Sequence, residues 1–152
     1  MASGPIILWY RQDLRLIDHP AFRAAHDSGR PVIPLFILHD DAEPIADTRI
    51  GGAARWWLHH SLDALDQSLQ ERGSQLIIRK GAPATVLPEI VDETSSTALY
   101  FTRRYEARET EREQALRDAL AGPDFEVKRF GGRLLREPSD VETKSGGPYK
   151  VF

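Results

Sequence analysis

The chain of 152 residues has no cysteine, which excludes disulfide bonds and thiolate metal ligands outright. It has no apolar run that could cross a bilayer: the longest, residues 31–38, is well short of the ~20 residues a membrane helix needs. No charged-then-apolar leader opens it, and a reducing cytosol is compatible with the lack of cysteine. Glycine is not gathered into a phosphate-binding turn. There is no Gly-x-Gly-x-x-Gly after the first apolar run, no Walker loop, no Gly-x-Ser-x-Gly and no His-Glu-x-x-His, so no catalytic acid, base or nucleophile is nominated. An excess of positive charge is missing too. The formal net charge is −3, whereas duplex DNA binding calls for a basic face that displaces counterions. Internal repeats and low-complexity segments are absent as well.

What is present is a soluble globular composition, 41% hydrophobic and 28% charged, in a length that suits one domain with its own core. Strand and helix signals alternate along it. The apolar run 5–10 predicts a strand buried on both faces. Residues 20–26 predict a short helix, with Asp18 or His19 at its cap, Pro20 in its first turn and Ser28-Gly29 at its end. Residues 31–38 predict a second strand, against which Pro34 is an objection, because proline removes a ladder donor. A long helix is expected over 52–72, where Leu58, Leu62, Leu65 and Leu69 form one stripe and Gly73 stops it. A strand over 75–79, a helix over 83–92 and a strand over 98–102 follow. Next come a charged helix over 105–121, with a buried face on Ala115, Leu116, Ala119 and Leu120, and a strand over 125–130. Strands separated by helices define an α/β fold with a parallel sheet covered on both faces. The first strand is expected at its centre. Residues 131–152 carry glycine and polar residues with no strong period, and read as a strap or linker after a domain spanning 1–130.

In such a sheet the loops at the carboxyl ends of the strands build the ligand crevice. The loop over 11–18 is a dense alternation of charges and leucines. Arg11, Asp13 and Arg15 there are read first as a structural set that pairs or bonds to loop backbone, and second as a ligand contact. His39, Asp40 and Asp41 end the second strand. They suit a nucleotide or metal contact, but no third ligand with useful spacing accompanies them, and polar loop residues are the plainer account. His59 and His60 point about 100° apart on a helix and do not share an ion easily. Trp56 and Trp57 diverge in the same way, so one is expected on the core and the other on a cleft where a planar ring would stack. The ligand candidate of choice is the segment after the fourth strand, Tyr105-Glu106-Ala107-Arg108-Glu109, whose helix presents its first turn to the crevice. Glu109 would accept from an amino-pteridine-like ring and Arg108 would meet a carboxylate. A charged solvent face is the alternative.

Taken together, four segments resemble the DNA photolyase/cryptochrome family, in the expected order along essentially the whole chain. Trp9-Tyr10-Arg11-Gln12-Asp13-Leu14-Arg15-Leu16-Ile17-Asp18 resembles its opening strand and loop. Gly52-Ala53-Ala54-Arg55-Trp56-Trp57-Leu58-His59-His60-Ser61-Leu62 resembles the long second helix of bacterial members. Arg104-Tyr105-Glu106 with Glu109 is similar to the signature after strand four, and Lys144-Ser145-Gly146-Gly147-Pro148-Tyr149-Lys150-Val151-Phe152 resembles the stretch entering the interdomain linker.

The resemblance implies a five-stranded parallel Rossmann-like sheet in the order 3-2-1-4-5. It implies an antenna chromophore held by this domain, methenyltetrahydrofolate first and a deazaflavin or flavin as alternatives. It further implies FAD, damaged DNA and the splitting of pyrimidine dimers in a larger helical domain, absent from this chain, whose linker would begin at 131–152. A monomer with no membrane partner is expected, and no catalytic residue or metal ligand in this segment. The antenna set is Glu109, Arg108, Glu106 and Tyr105, with His39, Asp40 and Trp56 as secondary walls. Folate-binding relatives often carry asparagine where this chain has Arg108, so Glu109 carries over by match and Arg108 does not. A cryptochrome signalling photoreceptor shares this domain, and a generic nucleotide-binding α/β module would share the sheet but not the tail.

Overall fold

The computed structural model describes residues 4–39, 51–120, 122–137 and 141. The chain runs β1 (Ile6–Tyr10), α1 (Pro20–Asp27), β2 (Val32–Leu38), α2 (Gly52–Gln70), β3 (Ile77–Lys80), α3 (Pro83–Thr94), β4 (Ala98–Thr102), α4 (Ala107–Leu120) and β5 (Glu126–Phe130). The five strands form one sheet in the order β3-β2-β1-β4-β5, and every pairing in it is parallel. β1 is central, as its uninterrupted apolar sequence requires: all five of its residues are buried, and so are all five of β4. Side chains alternate across the sheet. Ile6, Leu8 and Tyr10 pack under α1 and α2 with Leu65 and Leu69, and Ile7 and Trp9 pack under α3 and α4 with Leu87, Ile90 and Leu116.

Local chemistry explains the boundaries. The His19 Nδ1 accepts the Phe22 N–H at 3.1 Å and so caps α1, with Pro20 following in the first turn. The stripe Leu58, Leu62, Leu65 and Leu69 meets the sheet as its spacing predicts. Past α2, Gly73 adopts φ +74°, and the Gly73 and Ser74 N–H groups donate to Gln70 and Leu69 carbonyls at 3.0 Å each. That left-handed step is the conformation glycine tolerates best at a helix end. Pro34 does lie within β2, paired with Leu8 of β1, but the register with β3 starts only at Leu35. The proline therefore sits where β2 still has an open edge, the position that tolerates a missing donor.

The charged helix departs from its expected face. Leu116 is buried and Leu120 partly so, but Ala115 and Ala119 are exposed, and the residue that completes the stripe is Glu113, 2% exposed. Glu109, Glu113, Leu116 and Leu120 share one side of α4 by their spacing. A hydropathy pattern misses it because the deepest position holds a charge, stabilised there by Arg11, just past β1, and Arg129 of β5. Trp56 and Trp57 depart too: neither packs on the core, being 61% and 69% exposed. All of residues 51–57 are exposed, and Leu58 is the first side chain of α2 to reach the core cluster.

Candidate functional site

The chain steps outward from β1 to β2 and β3, then returns to β4 on the other side of β1. The strand order therefore reverses between the carboxyl ends of β1 and β4, where ligands gather in open α/β sheets. Arg11, the first residue after β1, fills this point. Its side chain is 8% exposed and lies over the rings of Trp9 and Phe101, 4.9 and 5.1 Å from their centroids. Its Nη2 donates to the Thr102 carbonyl and, at 2.6 Å, to Glu113 Oε1. Glu113 is fully engaged: Oε1 also accepts the Arg104 N–H at 2.9 Å, and Oε2 accepts from Arg129 Nη1 at 3.4 Å. Burial pulls the Arg11 guanidinium below its ordinary pKa, and the Glu113 carboxylate pushes back.

Glu109 stands one turn nearer the helix start. It is 21% exposed, with Arg112 at 3.3 Å, Arg104 at 3.5 Å and Arg11 at 3.8 Å. None of these is a short charge-assisted bond, so this carboxylate retains more acceptor capacity than Glu113, whose Oε1 takes short contacts at 2.6 and 2.9 Å. Glu106 precedes the helix and pairs with Arg104 at 2.9 Å; hydrogen bonds from Arg104 hold its carboxyl down at about 2. Arg108 is exposed on the first turn.

Tyr105 turns elsewhere. Its hydroxyl donates to Glu137 Oε1 at 2.5 Å, while Arg103 donates to Glu137 Oε2 at 2.8 Å and stacks 4.9 Å from the Tyr105 ring. Burial and the Glu137 bond raise the Tyr105 pKa. Glu137 belongs to a strap that leaves β5 and crosses the carboxyl ends of the strands. Arg133 donates to Gln12 at 3.0 Å, Arg15 donates to the Gly132 carbonyl at 3.3 Å, and Gly132, at φ +136°, passes so close to Pro20 that a Cβ would lie 3.0 Å from its Cδ.

The loop after β1 is tied from within. The Asp13 Oδ1 accepts the Arg11 N–H at 3.0 Å, and its Oδ2 lies 2.8 Å from His19 Nε2. Arg15 donates to the Asp18 carbonyl at 3.0 Å, holding Asp18 at φ +51°. Burial pushes the Asp13 carboxyl up, but the His19 and Thr102 side chains and the Arg11 N–H outweigh it and hold it well below the usual carboxylate range. A depressed carboxyl stabilises the fold above its unfolded pKa of about 4, and that contribution is lost as pH falls toward the folded value. Asp13→Asn is therefore expected to cost about 1–3 kcal/mol at pH 7, with the gap to the parent narrowing below about pH 4. Denaturant midpoints at pH 7, 4 and 3 check this, and a gap independent of pH contradicts it.

The remaining candidates stand apart from Glu109. His39 follows β2 and is half-buried; Asp40 and Asp41 lie outside the described residues. Trp56 is on α2, on the other face of the sheet from α4, with its ring 4.3 Å from that of His60 and 6.2 Å from that of Trp57. Among the described residues no group of His, Asp and Glu could hold a metal ion, and no helix is long and apolar enough to cross a membrane. Surface cavities lie at two other places among the described residues. One, of about 390 Å³, lies between Ile33 and Gly73, and the other, of about 520 Å³, lies beside Pro20 and His26. Neither is lined by Glu109 or Arg11. Sequence reasoning missed Glu113, Arg129 and Glu137. The spacing of Glu113, four residues after Glu109 and three before Leu116, is the one signal that could have found the first.

An open parallel sheet in the order β3-β2-β1-β4-β5 with a charged switch point defines a Rossmann-like α/β domain. The family described as DNA photolyase matches residues 6–152, and the chain belongs to that family, as its N-terminal domain. This displaces the generic nucleotide-binding module. A deoxyribodipyrimidine photo-lyase of Agrobacterium fabrum is 41% identical over 100% of this chain and 31% of its own length. Cryptochrome-1 of Arabidopsis thaliana is 34% identical over 99% of this chain and 22% of its own. The crystal structure of a bacterial class III photolyase from Agrobacterium tumefaciens superposes with a TM-score of 0.84 at 41% identity, over 99% of this chain and 30% of that one. The chain thus spans between 22% and 31% of the length of these proteins.

Proposed function

We propose that this chain is the light-harvesting domain of a deoxyribodipyrimidine photolyase, holding an antenna chromophore that passes excitation energy to FAD in a further helical domain, where pyrimidine dimers in DNA are split. The observation that carries the reading is the Glu109 carboxylate: it stands in the first turn of α4 at the switch point, surrounded by arginines yet bonded by none closer than 3.3 Å. A planar heterocycle with an N–H edge, the pterin of methenyltetrahydrofolate first and a deazaflavin or flavin otherwise, fits that acceptor. Such a group supplies near-ultraviolet or blue absorption. Glu109 accepts from its ring edge, exposed Arg108 meets a carboxylate of its tail, and Glu106 fixes Arg104 behind Glu109. Tyr105, held by Glu137, borders the site. FAD and most DNA contacts belong to that domain, in keeping with a net charge of −3 here. A cytosolic monomer completes the reading.

The identity with a plant cryptochrome over 99% of this chain favours one second reading, a blue-light signalling photoreceptor built on the same domain. The near-ultraviolet to blue spectrum of protein purified from its native host tests both. A bound chromophore whose excitation feeds a flavin, with light-dependent dimer repair by the full-length protein, is the expected result. A light response without repair favours the photoreceptor. Bound ATP or NAD with no blue-absorbing group overturns both. The 152-residue chain alone is expected neither to bind FAD stoichiometrically nor to repair dimers, and repair by it would refute this division of labour.

A further inference from the structure

The Arg11 guanidinium stands between two carboxylates on one side of α4 and serves them unequally. Its Nη2 is spent on Glu113 at 2.6 Å and on the Thr102 carbonyl. Its Nη1 is buried, has no hydrogen-bond partner among the described residues, and faces Glu109 Oε2 at 3.8 Å. A buried donor without a partner is costly, and here the nearest unsaturated acceptor is the carboxylate that the proposed function assigns to the chromophore. What restrains the guanidinium is Glu113, 1% exposed at its side chain, which also binds the Arg104 N–H and Arg129.

We infer that Glu113 is a positioning residue for the chromophore site: by engaging Arg11 it keeps the guanidinium off Glu109, and so leaves the Glu109 carboxylate able to accept from a ring. The inference rests on the antenna reading for its ligand, but not for the ionic exchange itself. Without the Glu113 charge, Arg11 has one carboxylate left within reach, and a shift of about 1 Å turns the 3.8 Å approach into a charge-assisted bond. Glu109 then changes from a ligand group into a structural one. Arg104 and Arg112, which also face Glu109, are more exposed and solvated, and compete weakly with a buried guanidinium.

The test is a cycle of Glu109→Gln, Glu113→Gln and the double variant, with two readouts. Thermal unfolding reads the exchange. Glu109→Gln is expected to lower the midpoint by less than about 2 °C in the parent and by about 5 °C or more in the Glu113→Gln background, because only there does Arg11 depend on Glu109. Equal shifts in both backgrounds overturn the inference. Titration with 5,10-methenyltetrahydrofolate reads the consequence: Glu113→Gln is expected to weaken binding at least tenfold with Glu109 intact, and binding unchanged by Glu113→Gln overturns the positioning role. If the parent does not bind this probe while the unfolding shifts stay unequal, the folate reading fails and the exchange stands. Should Glu113→Gln not fold, Glu113→Asp retracts the charge from Arg11 without removing it. The same inequality is then expected at smaller size, and its absence overturns the inference.

Discussion

Arg11→Met is expected to destabilise the protein by about 3 kcal/mol, the low end for breaking a buried ion pair by removal of one partner, and to lower the unfolding midpoint by about 6–12 °C for a domain of this size. The cost comes chiefly from what is left behind. Glu113 would keep Arg129 at 3.4 Å and the Arg104 N–H at 2.9 Å but lose its closest cation, at 2.6 Å, in a position that is 2% exposed. Methionine keeps much of the volume over Trp9 and Phe101, so packing alone would cost little. Adding Glu113→Leu to Arg11→Met should recover part of the loss, because the orphaned charge is then gone. Urea unfolding of the three proteins measures it, and a double variant less stable than Arg11→Met would show that the loss lies in packing instead.

Glu109→Ala is expected to weaken retention of the antenna chromophore about ten- to a hundredfold, the equivalent of one charge-assisted bond of about 1.5–3 kcal/mol. The fold should hardly notice, since Glu109 makes only long contacts, with Arg112, Arg104 and Arg11 at 3.3–3.8 Å. The measurement is the ratio of antenna to flavin absorbance in the purified full-length protein. Unchanged occupancy would put the ring elsewhere, with the exposed Trp56 and His60 on α2 as the next place to look. Loss of both bands together would make Glu109 structural.

The fold was legible because its signals are local. Uniformly apolar β1 and β4, the four-leucine stripe of α2 and the breaks at Gly29 and Gly73 each follow from residues within a few positions of one another. Even Pro34, which argues against a strand by itself, fits once β3 is seen to begin pairing one residue later. The site was legible only in part. Glu106 and Glu109 do meet around Arg104 at the head of α4. Tyr105 was in the same motif, but Glu137 turns it toward the strap, a partner 32 residues on that no local pattern announces. Trp56 and Trp57 divided between core and cleft on paper because adjacent helical positions diverge, yet the first turns of α2 leave both in solvent.

What the sequence determined by itself is the order of elements, the two-sided burial of the central strands and the family, all written in periodicity and contiguous motifs. Only the tertiary structure decided which charges are buried. Glu113 sits in a helix that reads as a solvated ion-paired surface, and only its spacing from Leu116 and Leu120 sets it apart from Glu111. Its place was set by Arg11 from 102 residues earlier and Arg129 from 16 residues later. A lone carboxylate is expelled from a protein interior by the cost of losing water, and only partners brought together by the fold make its burial tolerable, so spacing could nominate Glu113 but only the paired strands decide that it is buried.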